Sequence, residues 1–366
     1  MDILFTKHNV TIHPYLEVLG KTHNVVVFHH KQAHTPVPKN CKEHRVVYRP
    51  RFIADLFVRC SVSLMYPQYV RDMFSQIEIF SPSSIFISDI SHFIFAQTVY
   101  YKHRYPNTKL YLWSETRQWP HFWLSRWMMY GFWWYFKRNA KYVEKVFVFT
   151  EEGRRFFNTH APDVSVVVLP APVDTKLFYA ETSKEYVPGG VLRIIMNARY
   201  IPLKEHRTFF EALILLKKKQ IDFSISLIGR GGHTQTELKE YAEQLGIAQY
   251  ITWLDPVSIE KLRAIYSAHD VLVLPSNREA IGMVVPEAMA CGLATVTSQA
   301  VGANTYVEEG KTGFIFETGN AEALADALEQ LAHESVVSAF GQTAAQVIQE
   351  RYSVEVLGEK LLRELN

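Results

Sequence analysis

The stretch Ser276–Phe316 reads SNREAIGMVVPEAMACGLATVTSQAVGANTYVEEGKTGFIF, and the order of residue types in and around it decides the fold. Just before it runs VLVLP, Val271–Pro275, aliphatic residues stopped by a proline, as in a strand buried on both faces. A helix is expected to start near Gly282 or Met283, since Pro286 is tolerated only in a first turn, and a second apolar run, Ala294–Thr297, follows Gly292. Strand, loop, helix and strand in this order form a βαβ unit, the building block of parallel sheets. Glu279 falls on the loop and, after seven intervening residues, Glu287 falls about one turn into the helix. At the helix start the backbone N–H groups of Gly282, Met283 and Val284 have no intrahelical acceptor. Amides and helix dipole suit anionic oxygens, and carboxylates suit sugar hydroxyls, so the segment fits a phosphorylated, polyhydroxylated ligand. Acidic residues at a helix start are also ordinary stabilising features, and the bare spacing leaves both readings open.

Working outward, the same alternation fills the chain. Apolar runs rich in Val, Ile and Phe occur at Asp2–Phe5, Asn24–Phe28, Ser84–Ile87, Lys109–Leu112, Val146–Phe149 and Val166–Leu169. They recur at Leu192–Met196, Phe223–Ile228, Tyr250–Trp253, Val271–Leu274 and Ala294–Thr297, separated by helical periods at Glu205–Lys219, Thr234–Leu245, Ser258–Ser267 and Asn320–Ala332. The predicted class is α/β, with two doubly wound domains facing across a cleft at the carboxyl ends of their strands. Lys176–Gly190, KLFYAETSKEYVPGG, is polar, loses periodicity and closes on Pro-Gly-Gly. The expected organisation is therefore an N-terminal domain over 1–175, a linker over 176–190, a C-terminal domain over 191–345 and a last segment over 346–366.

At 366 residues the chain exceeds what one core usually serves, and 48% hydrophobic with 21% charged residues is a globular composition. A net charge of +2 gives no reason to expect nucleic acid as a partner. Cys41, Cys60 and Cys291 are sparse and unpaired in pattern, as in a reduced cytoplasmic protein, and the N-terminus has no signal-peptide pattern.

These residues carry a resemblance. SNREAIGMVVPEAMACGLATV is similar to the donor-site signature of the family 4 glycosyltransferases, S-x-x-E-G-F-G-x-x-x-x-E-A-M-A-C-G-x-P-V-V. Asn197-Ala198-Arg199, with Lys204 five residues beyond Arg199, resembles that family's G-R-L-x-x-x-K-G element. Ile228-Gly229-Arg230-Gly231 resembles its I-G-x-G, and Leu169–Phe178 its P-N-G-V-D-x-x-x-F junction. The segment opened by Glu350-Arg351-Tyr352-Ser353 looks like the last helix returning to the N-terminal domain. The resemblance implies the GT-B fold and a retaining transferase in which Glu279 approaches the donor sugar, Glu287 binds the ribose, Arg199 and Lys204 grip the diphosphate, and Gly229 and Arg230 lie near the donor. Departures are Ala280-Ile281 for Gly-Phe, Ala294 for proline, Ala171-Pro172 for Asn-Gly, Thr305 where many members carry glutamate, and Thr6-Lys7-His8-Asn9 where a glycine-rich loop is usual. The missing glycines deprive the backbone of its close approach to donor phosphates.

Glycosyl transfer builds negative charge on the departing diphosphate, and the chain has no Asp-x-Asp to hold a metal. Arg199, Lys204 and the amides at 282–284 are the expected substitutes, so no metal or cofactor is expected. Glu115, after the strand in Trp113-Ser114-Glu115-Thr116, either binds the acceptor and assists proton transfer or caps the next helix. Asp89 and His92 carry a weaker signal of the same kind. His29, His30 and His34 lack the companion ligands of a metal site and read as loop residues.

Five of the seven tryptophans fall between Trp119 and Phe136 in WPHFWLSRWMMYGFWWYFKRNAK, Trp119–Lys141. Arg126, His121 and Ser125 break any apolar run of about 18 residues, so the segment does not span a membrane. It fits an interfacial helix on an anionic surface, with Trp123, Trp127 and Trp133 among its membrane-facing residues, or alternatively a packed interface. The partners expected are a UDP- or GDP-linked sugar donor and a glycan or lipid-linked acceptor, at the cytoplasmic face of the inner membrane, in surface polysaccharide or lipopolysaccharide assembly. The competing classes are an NAD-dependent oxidoreductase, for which Gly229–Gly232 and Asp255 are fragments of a dinucleotide site, and a non-catalytic nucleotide-sugar-binding protein.

Overall fold

The computed structural model describes residues 2–6, 10–30, 36–46, 48–49, 69–70, 72–88, 93–116, 123–181 and 190–366. It divides into two compact units, Met1–Pro172 with Leu357–Asn366, and Val173–Val356.

The first unit is built on strands β1 (Asp2–Phe5), β2 (Asn24–His30) and β3 (Lys42–Val46), a short antiparallel pair β4 (Tyr48–Arg49) and β5 (Tyr69–Val70), then β6 (Ser84–Ser88), β7 (Lys109–Ser114), β8 (Val143–Val148) and β9 (Val166–Val168). Seven of these form one sheet in the order β3-β2-β1-β6-β7-β8-β9, with every neighbouring pair parallel. Apolar runs dictate this: Ile3–Phe5, Val25–Phe28 and Ile85–Ile87 are buried, and Phe5 stacks on Phe86 at 4.5 Å across the β1–β6 pair. Such strands need cover on both faces, which the intervening helices provide.

The second unit repeats the design with β10 (Leu192–Asn197), β11 (Phe223–Ile228), β12 (Ile251–Leu254), β13 (Val271–Leu274), β14 (Ala294–Ser298) and β15 (Gly313–Phe316), ordered β12-β11-β10-β13-β14-β15 and parallel throughout. Its helices start where local chemistry allows. Asn320 caps Ala321–Leu331 by accepting from the Ala323 N–H at 2.9 Å, and Pro286 sits early in Val284–Ala290, where no N–H is required.

The passage between units falls at Pro172–Val173, ahead of the polar stretch from Lys176. Val173 is already paired inside the second unit, donating to the Tyr352 carbonyl at 2.9 Å and accepting from the Val354 N–H at 3.2 Å. Of the expected linker over 176–190, residues 182–189 lie outside the described residues, and its beginning is a local turn in which the Lys176 and Leu177 N–H groups donate to the Asp174 carboxylate. A π-turn, Ile348–Tyr352, precedes the last helix, Val354–Leu365, whose final residues belong to the first unit. There Lys145 pairs with Glu364 at 2.8 Å, Lys360 donates to the Val168 carbonyl at 2.8 Å, and Gly358 lies close against Val18.

Candidate functional site

In the second sheet the strand order reverses between β10 and β13, so the loops leaving these two neighbours diverge and open a space at their carboxyl ends. The loop leaving β13 carries Glu279. Its backbone is stitched to the loop after β14, with Glu279 N–H donating to Ala300 at 3.2 Å and Gly302 N–H donating to Glu279 at 2.9 Å. Gly282 turns the chain into the helix with φ +84°, and a Cβ there would crowd Glu279 Cγ at 3.1 Å and Leu274 Cδ2 at 3.2 Å. A residue with a side chain would be strained in this conformation, which is why glycine stands there. Met283 and Val284 follow at the helix start, where the first amides have no intrahelical acceptor.

The loop leaving β10 carries Arg199 and Lys204. Pro202–Lys204 form one 3₁₀ turn, and Glu205 then adopts φ +53° before the helix His206–Lys218 begins. Lys204 Nζ pairs with the Glu279 carboxylate, joining residues 75 apart in sequence. Burial, and secondarily the Arg199 guanidinium, pull the Lys204 ammonium down to about 8. Arg199 is exposed. His206 is buried with its ring 5.3 Å from Tyr200, and burial followed by the charge of Lys204 pushes it down to about 4, leaving it neutral near pH 7. Positive charge at the loop tip is therefore concentrated on Arg199 and Lys204.

Glu287 lies in the first turn of Val284–Ala290. Desolvation raises its carboxyl to about 8, so it is protonated at neutral pH and can both donate and accept a hydrogen bond, a match for a diol. Beside it, the phenol of fully buried Tyr266 is pushed well above its usual range, by burial first and by Glu287 second. Tyr266 accepts from Asn197 Nδ2 at 3.0 Å, at the end of β10.

Gly229 and Arg230 leave β11. A Cβ on Gly229 would lie 2.3 Å from the Ala198 carbonyl oxygen and 2.9 Å from Tyr200 Cζ, while Gly231 faces the Tyr200 carbonyl. Packing of the β10 exit thus accounts for both glycines, and a dinucleotide fingerprint is not needed to explain them. Arg230 is exposed, and so is Asp255 after β12. Glu115 belongs to the first unit, exposed after β7, where Ser114 Oγ accepts from the Thr116 N–H at 3.1 Å. Asp89, His92, His34, residues 7–9 and Trp119–Phe122 lie outside the described residues.

Arg199, Lys204, Glu279, Gly282, Met283, Val284 and Glu287 thus occupy two adjacent strand exits of one unit. Sequence reasoning did not single out Tyr266, Glu205 or Asn277, and it quoted Asn197 as part of a motif without giving it a role. Asn197, the polar last residue of β10, and Asn277, three residues past β13, could have been suspected as polar residues at strand exits, whereas nothing local marks Tyr266.

The aromatic segment forms the helix Trp123–Asn139. Met129, Trp133 and Phe136 point into the core, so Trp133, expected among membrane-facing residues, is a packing residue. Trp127 (71% exposed), Tyr130 and Trp134 (62%) form a stripe on the opposite side, with Arg126, Lys137 and Arg138 also exposed. The neighbouring helix, Phe93–Arg104, exposes Phe93 and Tyr100. Neither helix contains an acidic residue. Among the described residues no helix is long and apolar enough to cross a membrane.

Two parallel-sheet α/β units of this topology define the GT-B fold. Residues 181–352, nearly all of the second unit, match the family described as glycosyl transferases group 1. It is 27% identical to a GDP-mannose-dependent alpha-(1-6)-phosphatidylinositol monomannoside mannosyltransferase of Mycobacterium tuberculosis, over 50% of this chain and 51% of the relative. It is 30% identical to a D-inositol 3-phosphate glycosyltransferase of Paenarthrobacter aurescens, over 45% of this chain and 42% of the relative. The chain spans about half the length of the curated relatives it matches. Among solved structures, sucrose-phosphate synthase from Thermosynechococcus elongatus superposes with a TM-score of 0.74 at 16% identity, covering 100% of this chain and 99% of that one. Anabaena HepE in complex with UDP gives 0.76 at 15% identity, with the same coverage of 100% and 99%. These two similarities concern the fold.

Proposed function

We propose that the chain is a retaining, metal-independent glycosyltransferase that moves a sugar from a UDP- or GDP-linked donor to a glycan or lipid-linked acceptor at a membrane surface. The observation that carries the reading is the meeting of Lys204 and Glu279, with Arg199 alongside, where the second sheet reverses its strand order.

In this reading the donor diphosphate takes the place of the Glu279 carboxylate at Lys204, and Arg199 supplies a second fixed cation. The bond between the anomeric carbon and the phosphate oxygen breaks, its electron pair leaving with the nucleotide. Glu279, released from Lys204, stabilises the oxocarbenium-like sugar. The acceptor hydroxyl oxygen bonds to the anomeric carbon on the face the nucleotide leaves, and its proton passes to the departing phosphate oxygen. Protonated Glu287 and the amides at 282–284 hold the ribose and the phosphates. Glu115 is the candidate acceptor-side carboxylate. Arg199 and Lys204 supply without a metal the compensation that Asp-x-Asp transferases obtain from one.

The membrane part rests on the exposed stripe of Trp127, Tyr130 and Trp134 beside Arg126, Lys137 and Arg138, aromatic at headgroup depth and cationic towards anionic lipid. A place in surface polysaccharide or lipopolysaccharide assembly, at the cytoplasmic face of a membrane, follows from a lipid-linked acceptor. It accords with the mannosyltransferase relative, whose name includes phosphatidylinositol.

Assay of transfer or donor hydrolysis over a panel of UDP- and GDP-sugars in EDTA tests the proposal, with NMR of the product reporting anomeric configuration. Turnover in EDTA with retention is expected. Turnover that vanishes in EDTA and returns with manganese, or inversion, contradicts it. Flotation with anionic vesicles should capture the protein and lose Trp127→Ser/Trp134→Ser, and equal capture of the variant would exclude this face.

A further inference from the structure

Lys204 sits between two residues that are gripped by a third. Asn277, on the loop leaving β13, donates its backbone N–H to the Leu203 carbonyl at 3.0 Å and its side-chain amide to the Glu205 carboxylate at 2.8 Å. The other oxygen of that carboxylate accepts from Thr208 Oγ1 at 2.9 Å. Glu205 meanwhile holds φ +53°, left-handed backbone that favours glycine, and glycine is the residue the related G-R-L-x-x-x-K-G pattern has here. A glutamate kept in an unfavourable conformation, with both oxygens engaged, is doing something a glycine would not.

We propose that Asn277 and Glu205 form a clamp that positions Lys204 for the donor diphosphate, tying the β10 loop to the β13 loop on either side of the lysine. The proposal rests on the reading of Lys204 as a diphosphate ligand. Without the Asn277–Glu205 side-chain bond, the 3₁₀ turn Pro202–Lys204 keeps to the β13 loop only the Asn277 N–H bond to the Leu203 carbonyl and the Lys204–Glu279 pair, and the donor has to break the second of these. With it, the turn stays in place when the ammonium changes partner from carboxylate to phosphate. Asn277 and Glu205 are positioning residues, acting through Lys204.

A strain argument separates positioning from folding. Glu205→Gly removes the side-chain arm of the clamp, leaving the Asn277 N–H bond to the Leu203 carbonyl, and relieves the left-handed strain, so its melting temperature should equal or exceed that of the parent. Its donor dissociation constant, measured by calorimetry with the nucleoside diphosphate the parent binds, should rise about tenfold, the loss of roughly one charge-assisted hydrogen bond. Glu205→Gln can keep the Asn277 contact through its amide oxygen while its amide NH2 donates to Thr208 Oγ1, and should recover much of the affinity. Asn277→Ala should weaken binding as Glu205→Gly does, and the double variant should be no worse than either alone. Affinity within twofold of the parent in Glu205→Gly, while Lys204→Ala loses binding, overturns the clamp and leaves the diphosphate reading standing. Additive losses in the double variant overturn it equally. Parent-like binding by Lys204→Ala sinks the diphosphate reading, and the clamp proposal falls with it.

Discussion

Lys204 and Glu287 both titrate near pH 8 in the free protein, one drawn down and the other raised, and burial is the leading cause for each. Ionisation of Glu287 removes a donor and adds a negative charge beside the candidate site, and deprotonation of Lys204 removes the cation proposed to meet the diphosphate. Donor affinity should therefore be flat below pH 7 and fall by about tenfold per group between pH 7 and pH 9. Titration calorimetry across that range checks this, and a level profile to pH 9 contradicts it. In Glu287→Gln only the Lys204 step should remain. Glu287 also has a stability consequence. Its folded value lies above the ordinary 4.5, so the folded state binds the extra proton between about 4.5 and about 8. Its contribution is intact below 4.5 and lost as the pH rises through 8, so Glu287→Gln should gain melting temperature over the parent across that window and keep a constant advantage above it. A constant difference from pH 4 to pH 9 argues that the carboxyl is ionised when folded.

At the scale of elements, Gly229 makes the sharpest prediction. A Cβ there would enter the Ala198 carbonyl, which is backbone and cannot swing away. Gly229→Ala should cost about 1–3 kcal/mol and show as a lower denaturation midpoint of the second unit, whereas Gly246→Ala meets no neighbouring atoms and should suffer only from its φ of +64°. Five of the six strands of the second sheet could be read from sequence, most plainly the uninterrupted aliphatic run VLVL at Val271–Leu274. Strand β3 could not, because Lys42–Val46 is KEHRV, a polar edge strand whose identity comes from pairing with β2. Strand β15 was missed for a related reason, since GFIF opens with a glycine whose Cβ would meet the Thr295 carbonyl at 2.0 Å. The candidate site was legible as far as its charges go: Arg199, Lys204, Glu279 and Glu287 stand in recognisable spacings, and the structure places them at two adjacent strand exits. The left-handed Glu205 and its bond to Asn277 were not, because backbone sign at a non-glycine residue leaves no local trace and the pair is 72 residues apart.

At the scale of the whole molecule, the chain ends in the unit where it began. Leu357, Leu361 and Leu365 are buried, and Lys145, Lys360 and Gly358 tie this last segment to the first unit. Truncation after Val356 should therefore destabilise the first unit while leaving the fold of the second, read as faster proteolysis within 1–172 and preserved nucleotide binding. Equal protection of both chains contradicts that assignment. The tryptophans show where composition stops being informative. Their density pointed to a surface, yet Trp133 is core and Trp127 and Trp134 are exposed, a division that helix phase makes and count does not.

The central claim is that the charge of the departing nucleotide is met by Arg199 and Lys204 without a metal. Calorimetric titration of UDP and GDP into the parent protein and into Lys204→Ala, in EDTA throughout, addresses it most directly. One nucleotide should bind the parent, and Lys204→Ala should weaken that binding by more than tenfold, as loss of a charge-assisted contact requires. Binding that needs added manganese, or that Lys204→Ala leaves unchanged, contradicts the account.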